Sequence, residues 1–322
     1  MLNTVLRTLL AVTLALAASL TVAQTYPSKP VRLIIPFPPG GSNDIVGRMA
    51  AAQLGERLGQ QVIVDNRGGA GGTIGTDTAA KAPPDGYTLL LVSIAYAFNT
   101  SMYKSLPYDP VKSFVPVGII GAGPAVLVVN PRLPVNSAQE LIALARQKPG
   151  QLNNASAGVG SFQHLASELF RLQAGIEWLH VPYKGGGPAM MDLIGGQADV
   201  SVGSLIQMLP HIRSGKLKAL ATTGAKRVAA LPDVPTVAEA GVPGAEATNW
   251  WGILAPAGTP QPIVDRLHAE LAAVVASAET KKRLETEGAE GRQMTQAEFG
   301  RFIVDETAKW ARVVKQAGIT AE

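Results

Sequence analysis

At 322 residues, 47% hydrophobic and 16% charged, the chain is long enough for two folded domains and too apolar for a disordered one. Lys and Arg total 28 against 24 Asp and Glu, a net +4 spread without any basic block, so nothing in the charge pattern points to nucleic acid. The cysteine count of 0 excludes disulfides, thiolate metal sites and a lipid-modified cysteine.

Met1 to Ala23 read as an export signal: Arg7 in a short polar head, an apolar run from Leu9 to Leu20, and Thr21-Val22-Ala23 as a small-residue cleavage site. The alternative, a retained anchor helix, is disfavoured because Thr8, Thr13 and Ser19 interrupt a run already short for a membrane span. A mature protein starting at Gln24, in the periplasm, is the expectation.

From Val31 apolar and amphipathic runs alternate. Val31–Ile35, Val62–Val64 and Tyr87–Val92 read as strands, Ile45–Leu58 and Ile74–Ala82 as helices, a βαβαβ order that implies an α/β fold on a parallel sheet. The first strand and helix are joined by Pro36-Phe37-Pro38-Pro39-Gly40-Gly41-Ser42-Asn43-Asp44. Prolines end the strand, glycines allow a tight turn, and Ser42, Asn43 or Asp44 can cap a helix whose first N–H groups lack intrahelical partners and attract anions. An ordinary βα turn explains the same residues. Asp44 is a cap, a ligand for an amine, or a brace for the glycine turn, and Asp199 is open to the same readings. Gly68 to Gly75 is glycine-rich, but Ile74 stands where a dinucleotide fingerprint needs its third glycine, and no phosphate-loop Gly-Lys-Ser/Thr follows.

Val115–Ile120 and Ala125–Asn130 are two apolar runs hinged at Gly121-Ala122-Gly123-Pro124, where the chain is expected to cross between lobes. Ser137 with Glu140 reads as a capping box opening a helix that Lys148-Pro149-Gly150 closes. A second series then repeats the first. The segment from Leu152 to Gln163 leads through Gly158-Val159-Gly160-Ser161 into an amphipathic run at Leu165–Leu172, and Trp178–Pro182 leads into a third glycine turn, Tyr183 to Pro188. Ala198–Val202 and Leu217–Thr222 are further strands, and Thr236 with Glu239 is another capping box. Asn249–Pro256 returns as a strand that points Trp250 and Trp251 to opposite faces, one toward core and one toward a cleft. The C-terminal part is helical: Pro262–Val275, Glu279–Glu287, and a last helix from the Thr295–Glu298 capping box to about Val314, packed back on the first lobe. This places lobe 1 at residues 24–123 and 248–322 and lobe 2 at 124–247, with a ligand cleft between them.

Ser161 and His164 are three apart, which suggests a nucleophile and its base, yet the Gly-x-Ser-x-Gly elbow is missing and Ser161 stands at a cap position. The four His, at 164, 180, 211 and 268, have no i,i+4 pairing, so no metal site is expected, and no cofactor motif is present.

Several of these motifs together resemble the Bug family, the extracytoplasmic solute receptors of tripartite tricarboxylate transporters. The resemblance rests on Pro36–Asp44, Val64–Arg67, Gly69–Gly75, Ser156–Ser161 with His164-Leu165, His180–Gly185, Leu231–Thr236 and Ala255–Pro260, which run over nearly the whole mature chain. It implies a two-lobed type II periplasmic binding protein of Venus-flytrap form, each lobe a mainly parallel sheet flanked by helices, closing on a small carboxylate (dicarboxylate, tricarboxylate, amino acid or aromatic acid). Membrane transporter subunits or a sensor would be its partners. The family turns matching Gly40, Gly41, Ser42, Asn43 and Asp44, and Gly158, Val159, Gly160, Ser161 and Gln163, hold a ligand carboxylate largely through backbone N–H groups and waters. Tyr183 and Gly185 of the third turn complete the candidate set. Asn43 departs from the pattern, in which Thr or a small residue is commoner. The rival from another class is an exported α/β hydrolase acting on a carboxylic acid through Ser161 and His164.

Overall fold

The computed structural model describes residues 26–319, so the export segment lies outside the described residues. The strands are β1 (Val31–Ile35), β2 (Val62–Asn66), β3 (Thr88–Ser93), β4 (Phe114–Val129), β5 (Asn153–Ser156), β6 (Leu179–Pro182), β7 (Val200–Ser204), β8 (Lys218–Thr222), β9 (Thr248–Pro256) and β10 (Glu290–Gly291). The helices are α1 (Ser42–Leu58), α2 (Thr73–Ala80), α3 (Ile94–Met102), α4 (Ala138–Gln147), α5 (Phe162–Ala174), α6 (Gly186–Gly195), α7 (Leu205–Arg213), α8 (Gln261–Ala276), α9 (Ala278–Thr286) and α10 (Gln296–Ala317).

One continuous path of strands runs β2-β1-β3-β9-β4-β7-β5-β6. Its two ends are parallel sets, β2-β1-β3 and β6-β5-β7, as the alternating pattern requires. β3 is buried at every residue, the mark of a parallel strand covered on both faces. Between the sets, β9 runs antiparallel to β3 and β4, and β4 antiparallel to β7 and β8, so the middle of the sheet is of the other kind.

β4 corrects the hinged pair of apolar runs. Its first part pairs with β9 and β10, its last part, from Ala125, with β7 and β8, and Gly121 to Pro124 continues the ladder with β9 instead of breaking it. The passage between the two halves is therefore a strand shared by both. Register shifts against β9 at Pro116–Gly118 and Ile119–Gly121 absorb the bend.

The capping signals fared unequally. Thr295 and Glu298 make the full reciprocal box at α10, and Ser137 accepts from Glu140 N–H at α4. Thr236 and Glu239 also exchange both bonds, but only a turn follows, because the chain ends it at Gly241. α3 carries no glycine punctuation, and α7 follows Gly203-Ser204 so closely on β7 that the pattern shows no separate turn. The C-terminal helices pack back as expected: Trp310 of α10 lies edge-on to Phe98 of α3, and Glu270 of α8 pairs with Arg57 of α1 at 2.8 Å. Trp250 and Trp251 do face opposite ways, but both are buried. Trp250 packs on Phe299 and Phe302, while the Trp251 indole N–H reaches Asn43 Oδ1 at 3.0 Å. No helix among the described residues is long and apolar enough to cross a membrane.

Candidate functional site

Helices that follow parallel strands start at the strands' C-terminal edge, and here five of those starts line one cavity: Gly41 and Ser42 before α1, Ser93 before α3, Ser161 and Phe162 at α5, Gly186 at α6 and Ser204 before α7. Phe37, Pro38, Asn43, Ala157, Gln163, Gln207 and Asn249 complete the wall, which contains no charged side chain. The cavity is small, ≈ 30 Å³, so its walls stand close together. Each helix start presents unpaired N–H groups and roughly half a positive charge. Five together make a field for an anion that needs no cationic side chain.

At α1, Gly41 is the cap residue and makes no side-chain cap bond, while its carbonyl takes the N–H groups of Asp44 and Ile45. The N–H groups of Ser42 and Asn43 are left facing the cavity end. The turn is braced from behind. Asp44 Oδ2 accepts Gly40 N–H at 3.1 Å, and Oδ1 accepts Arg48 Nε at 2.9 Å and Asn66 Nδ2 at 3.0 Å. Burial works against the ionised carboxyl, but these bonds outweigh it and hold the group below its usual range. Asp44 is thus the brace among its three readings, not a ligand for an amine. Asp199 is likewise structural, accepting Asn153 N–H at 2.7 Å. Asn43 bridges Trp251 and Ser93, whose Oγ its amide approaches at 3.4 Å.

At α5, Ser161 caps the helix through Oγ, which accepts His164 N–H at 3.2 Å. Phe162 and Gln163 keep the free N–H groups of the first turn. The His164 ring is elsewhere: it stacks on His180 with centroids 4.2 Å apart, and its Nδ1 has no partner. Burial, then the neighbouring His180, pushes the His164 pKa down to about 3. The nucleophile-and-base reading therefore lacks its geometry, since the hydroxyl is engaged with a backbone N–H and the ring with another ring. His180 Nε2 bonds Ser156 Oγ at 2.6 Å, and that oxygen also takes Gly158 N–H, so the histidine pair buttresses the second turn.

Of the twelve candidates, Gly41, Ser42, Asn43, Ser161 and Gln163 line the cavity. Gly40, Asp44, Gly158, Val159, Gly160, Tyr183 and Gly185 stand behind or beside it. Tyr183 leans on the core behind β5, its hydroxyl bonded to Asp192 and, by burial first, raised in pKa. Gly160 (φ 76°) and Gly40 (φ 85°) meet the opposite half of the molecule: a Cβ on Gly160 would lie 3.1 Å from Asn99 Oδ1 and 3.2 Å from Gly71 Cα, and one on Gly40 3.6 Å from Gly187 Cα. At Gly160 backbone comes tightly against backbone, and the positive φ of both residues favours glycine. Phe37, Pro38, Ser93, Ala157, Phe162, Gly186, Ser204, Gln207 and Asn249 line the cavity outside the candidate set. Ser93 carries a readable signal, a hydroxyl directly at the end of an apolar run.

Residues 46–319 match the model of the tripartite tricarboxylate transporter family receptor. The chain belongs to that family. It is 42% identical over 298 residues to Protein BugT of Bordetella pertussis, covering 92% of this chain and 91% of that one. Among solved structures, Rpa4515 of R. palustris with adipate superposes with a TM-score of 0.89 at 39% identity, covering 92% of this chain and 99% of the other. MatC from Rhodopseudomonas palustris with bound malate gives 0.86 at 32% identity, covering 90% and 100%. The chain is a Bug-type receptor with the fold of the periplasmic binding proteins, and the relatives that share it are solute-binding receptors.

Proposed function

We propose that this receptor captures a small carboxylate in the cavity between β1–α1 and β5–α5 and delivers it to, or reports it to, a membrane partner. Residues 24–123 and 248–322 form one lobe and 124–247 the other, with β4 running from the first into the second, and the export segment is removed near Ala23. The observation that carries this is the convergence of five helix starts on a cavity without a charged side chain. Such a wall stabilises an anion through preorganised donors from both lobes, so ligand favours the closed arrangement by its contacts with each. Relatives with adipate and with malate bound support the carboxylate class. Ser42, Asn43, Phe162 and Gln163 supply the main-chain donors, and Gly40, Asp44, Gly158, Val159, Gly160, Ser161, Tyr183 and Gly185 hold or close the turns.

A thermal-shift panel of carboxylic acids against their amides tests the reading, because a ligand bound only by the folded state raises Tm with the logarithm of its excess over Kd. Acids are expected to raise Tm and to be recovered unchanged after incubation. Equal shifts for acid and amide would remove the anion argument, and conversion of the acid would reopen the hydrolase.

A further inference from the structure

The cavity has more polar chemistry than a carboxylate uses. Gln163 is 4% exposed and lines the wall, yet neither its Nε2 nor its Oε1 has a hydrogen-bond partner. Ser204, 1% exposed on the same wall, has an unpartnered Oγ. Each of the other amides of the wall makes at least one bond: Gln207 Nε2 donates to Gly186 O at 2.8 Å, Asn43 bridges Trp251 and Ser93, and Asn249 Oδ1 takes Trp250 N–H. The fold makes room for the uncommitted one. Gln163 rests over Gly203, where a Cβ would come within 2.7 Å of Nε2, and Ser204 is the next residue of β7.

Buried polar groups are matched by complementary ones, because an orphaned donor or acceptor keeps the full cost of its desolvation. A carboxylate oxygen only accepts. It satisfies Gln163 Nε2 and the Ser204 hydroxyl but leaves Gln163 Oε1, an acceptor, facing an anion. A hydroxyl group donates and accepts, so it completes both side chains. An ammonium also donates, but the helix starts surround it with positive partial charge, and no carboxylate among the described residues lines the cavity to offset it. Asp44, the acid nearest in sequence, is turned toward Gly40, Arg48 and Asn66.

We propose that Gln163 and Ser204 form a hydroxyl-recognising subsite, which makes small hydroxy acids the preferred ligands. The carboxylate sits on the starts of α1 and α5, and the hydroxyl donates to Gln163 Oε1 while accepting from Ser204 or Gln163 Nε2. This inference rests on the carboxylate-receptor reading and adds to it which acids are chosen.

Isothermal titration with matched pairs tests it: propionate and lactate, succinate and malate, glutarate and 2-hydroxyglutarate, with aspartate as the ammonium counterpart of malate. In the pair that fits, the wild-type protein should bind the hydroxy acid about tenfold tighter than its deoxy partner, the scale of one satisfied buried hydrogen bond, and malate tighter than aspartate. Gln163→Met keeps the main-chain N–H at 163 and fills the same volume, and it should bring the ratio within the pair close to one. Ser204→Ala should narrow the ratio by severalfold, and it carries the test should circular dichroism show Gln163→Met unfolded. A deoxy acid that binds as tightly as its hydroxy partner, a ratio unchanged in the variants, or aspartate preferred to malate would overturn the subsite while the receptor reading stands. Failure of every acid to bind the wild-type protein would overturn both.

Discussion

The first and second glycine turns share a plan, strand to glycines to helix start, but are held in place by different forces. The turn before α1 is braced by charge: Asp44 ties Gly40, Arg48 and Asn66 together, and no side chain caps the helix. The turn before α5 is braced by neutral groups: the Ser161 hydroxyl caps the helix, and the stacked pair His164 and His180 reaches the turn through Ser156. What the two turns have in common is the open main-chain N–H groups of a helix start, held by two different scaffolds. That difference gives the two turns different weak points.

The largest expected effect breaks the second turn at Gly160. Valine there is strained at φ 76° and pushes its side chain into Asn99 and Gly71 of the opposite half. Titration of Gly160→Val with a bound acid should show affinity lost by about a hundredfold or more, close to 3 kcal/mol, with the circular dichroism spectrum kept. Normal binding would mean that the approach of Gly160 to Gly71 plays no part in closure.

Acid separates the two turns next. His164, its pKa pushed down to about 3 from 6.5 by burial, is neutral in the fold and takes a proton more readily unfolded. Its contribution is complete above pH 6.5 and is lost as pH falls from there toward 3, by at most about 1.4 kcal/mol per pH unit. His180 is depressed as well, by burial, with Glu168 opposing. Asp44 acts lower: its folded pKa is below the ordinary 3.8, so its stabilisation is present above that value and fades only beneath it. Urea unfolding between pH 7.5 and 4.5 should therefore show declining stability that His164→Leu flattens and Asp44→Asn does not. The same slope in both variants would assign the loss to other groups.

The smallest effect sharpens the comparison. Ser161→Ala removes the cap of α5 but none of the main-chain donors, at a cost of about 1 kcal/mol and about fivefold in affinity. Loss of all binding in that variant, measured by the same titration, would move the ligand contact from backbone to hydroxyl.

How much of this was legible follows the range of the forces. Turns, caps and strand ends depend on residues within about four positions, and there the reading of the chain held: the glycine turns, the caps at Ser161 and Thr295, the opposite faces of Trp250 and Trp251. Even locally, Thr236 and Glu239 complete a capping pair with no helix to cap, because a cap satisfies N–H groups without obliging the chain to continue.

The amino-acid sequence by itself determined an alternating α/β chain with donor-rich turns at matching places in its two halves. Only the tertiary structure decided that five helix starts share one cavity, that Ser93, Ser204, Gln207 and Asn249 join Gly41 and Ser161 there, and that Asp44 turns inward as a brace. It also made β4 one unbroken strand shared by both halves, and left the Gln163 amide buried and uncommitted. The physical reason is that these outcomes come from pairings between residues far apart in the chain, such as β4 with β9 or Asn43 with Trp251, and a local pattern of apolar and polar residues is the same whichever partner is chosen.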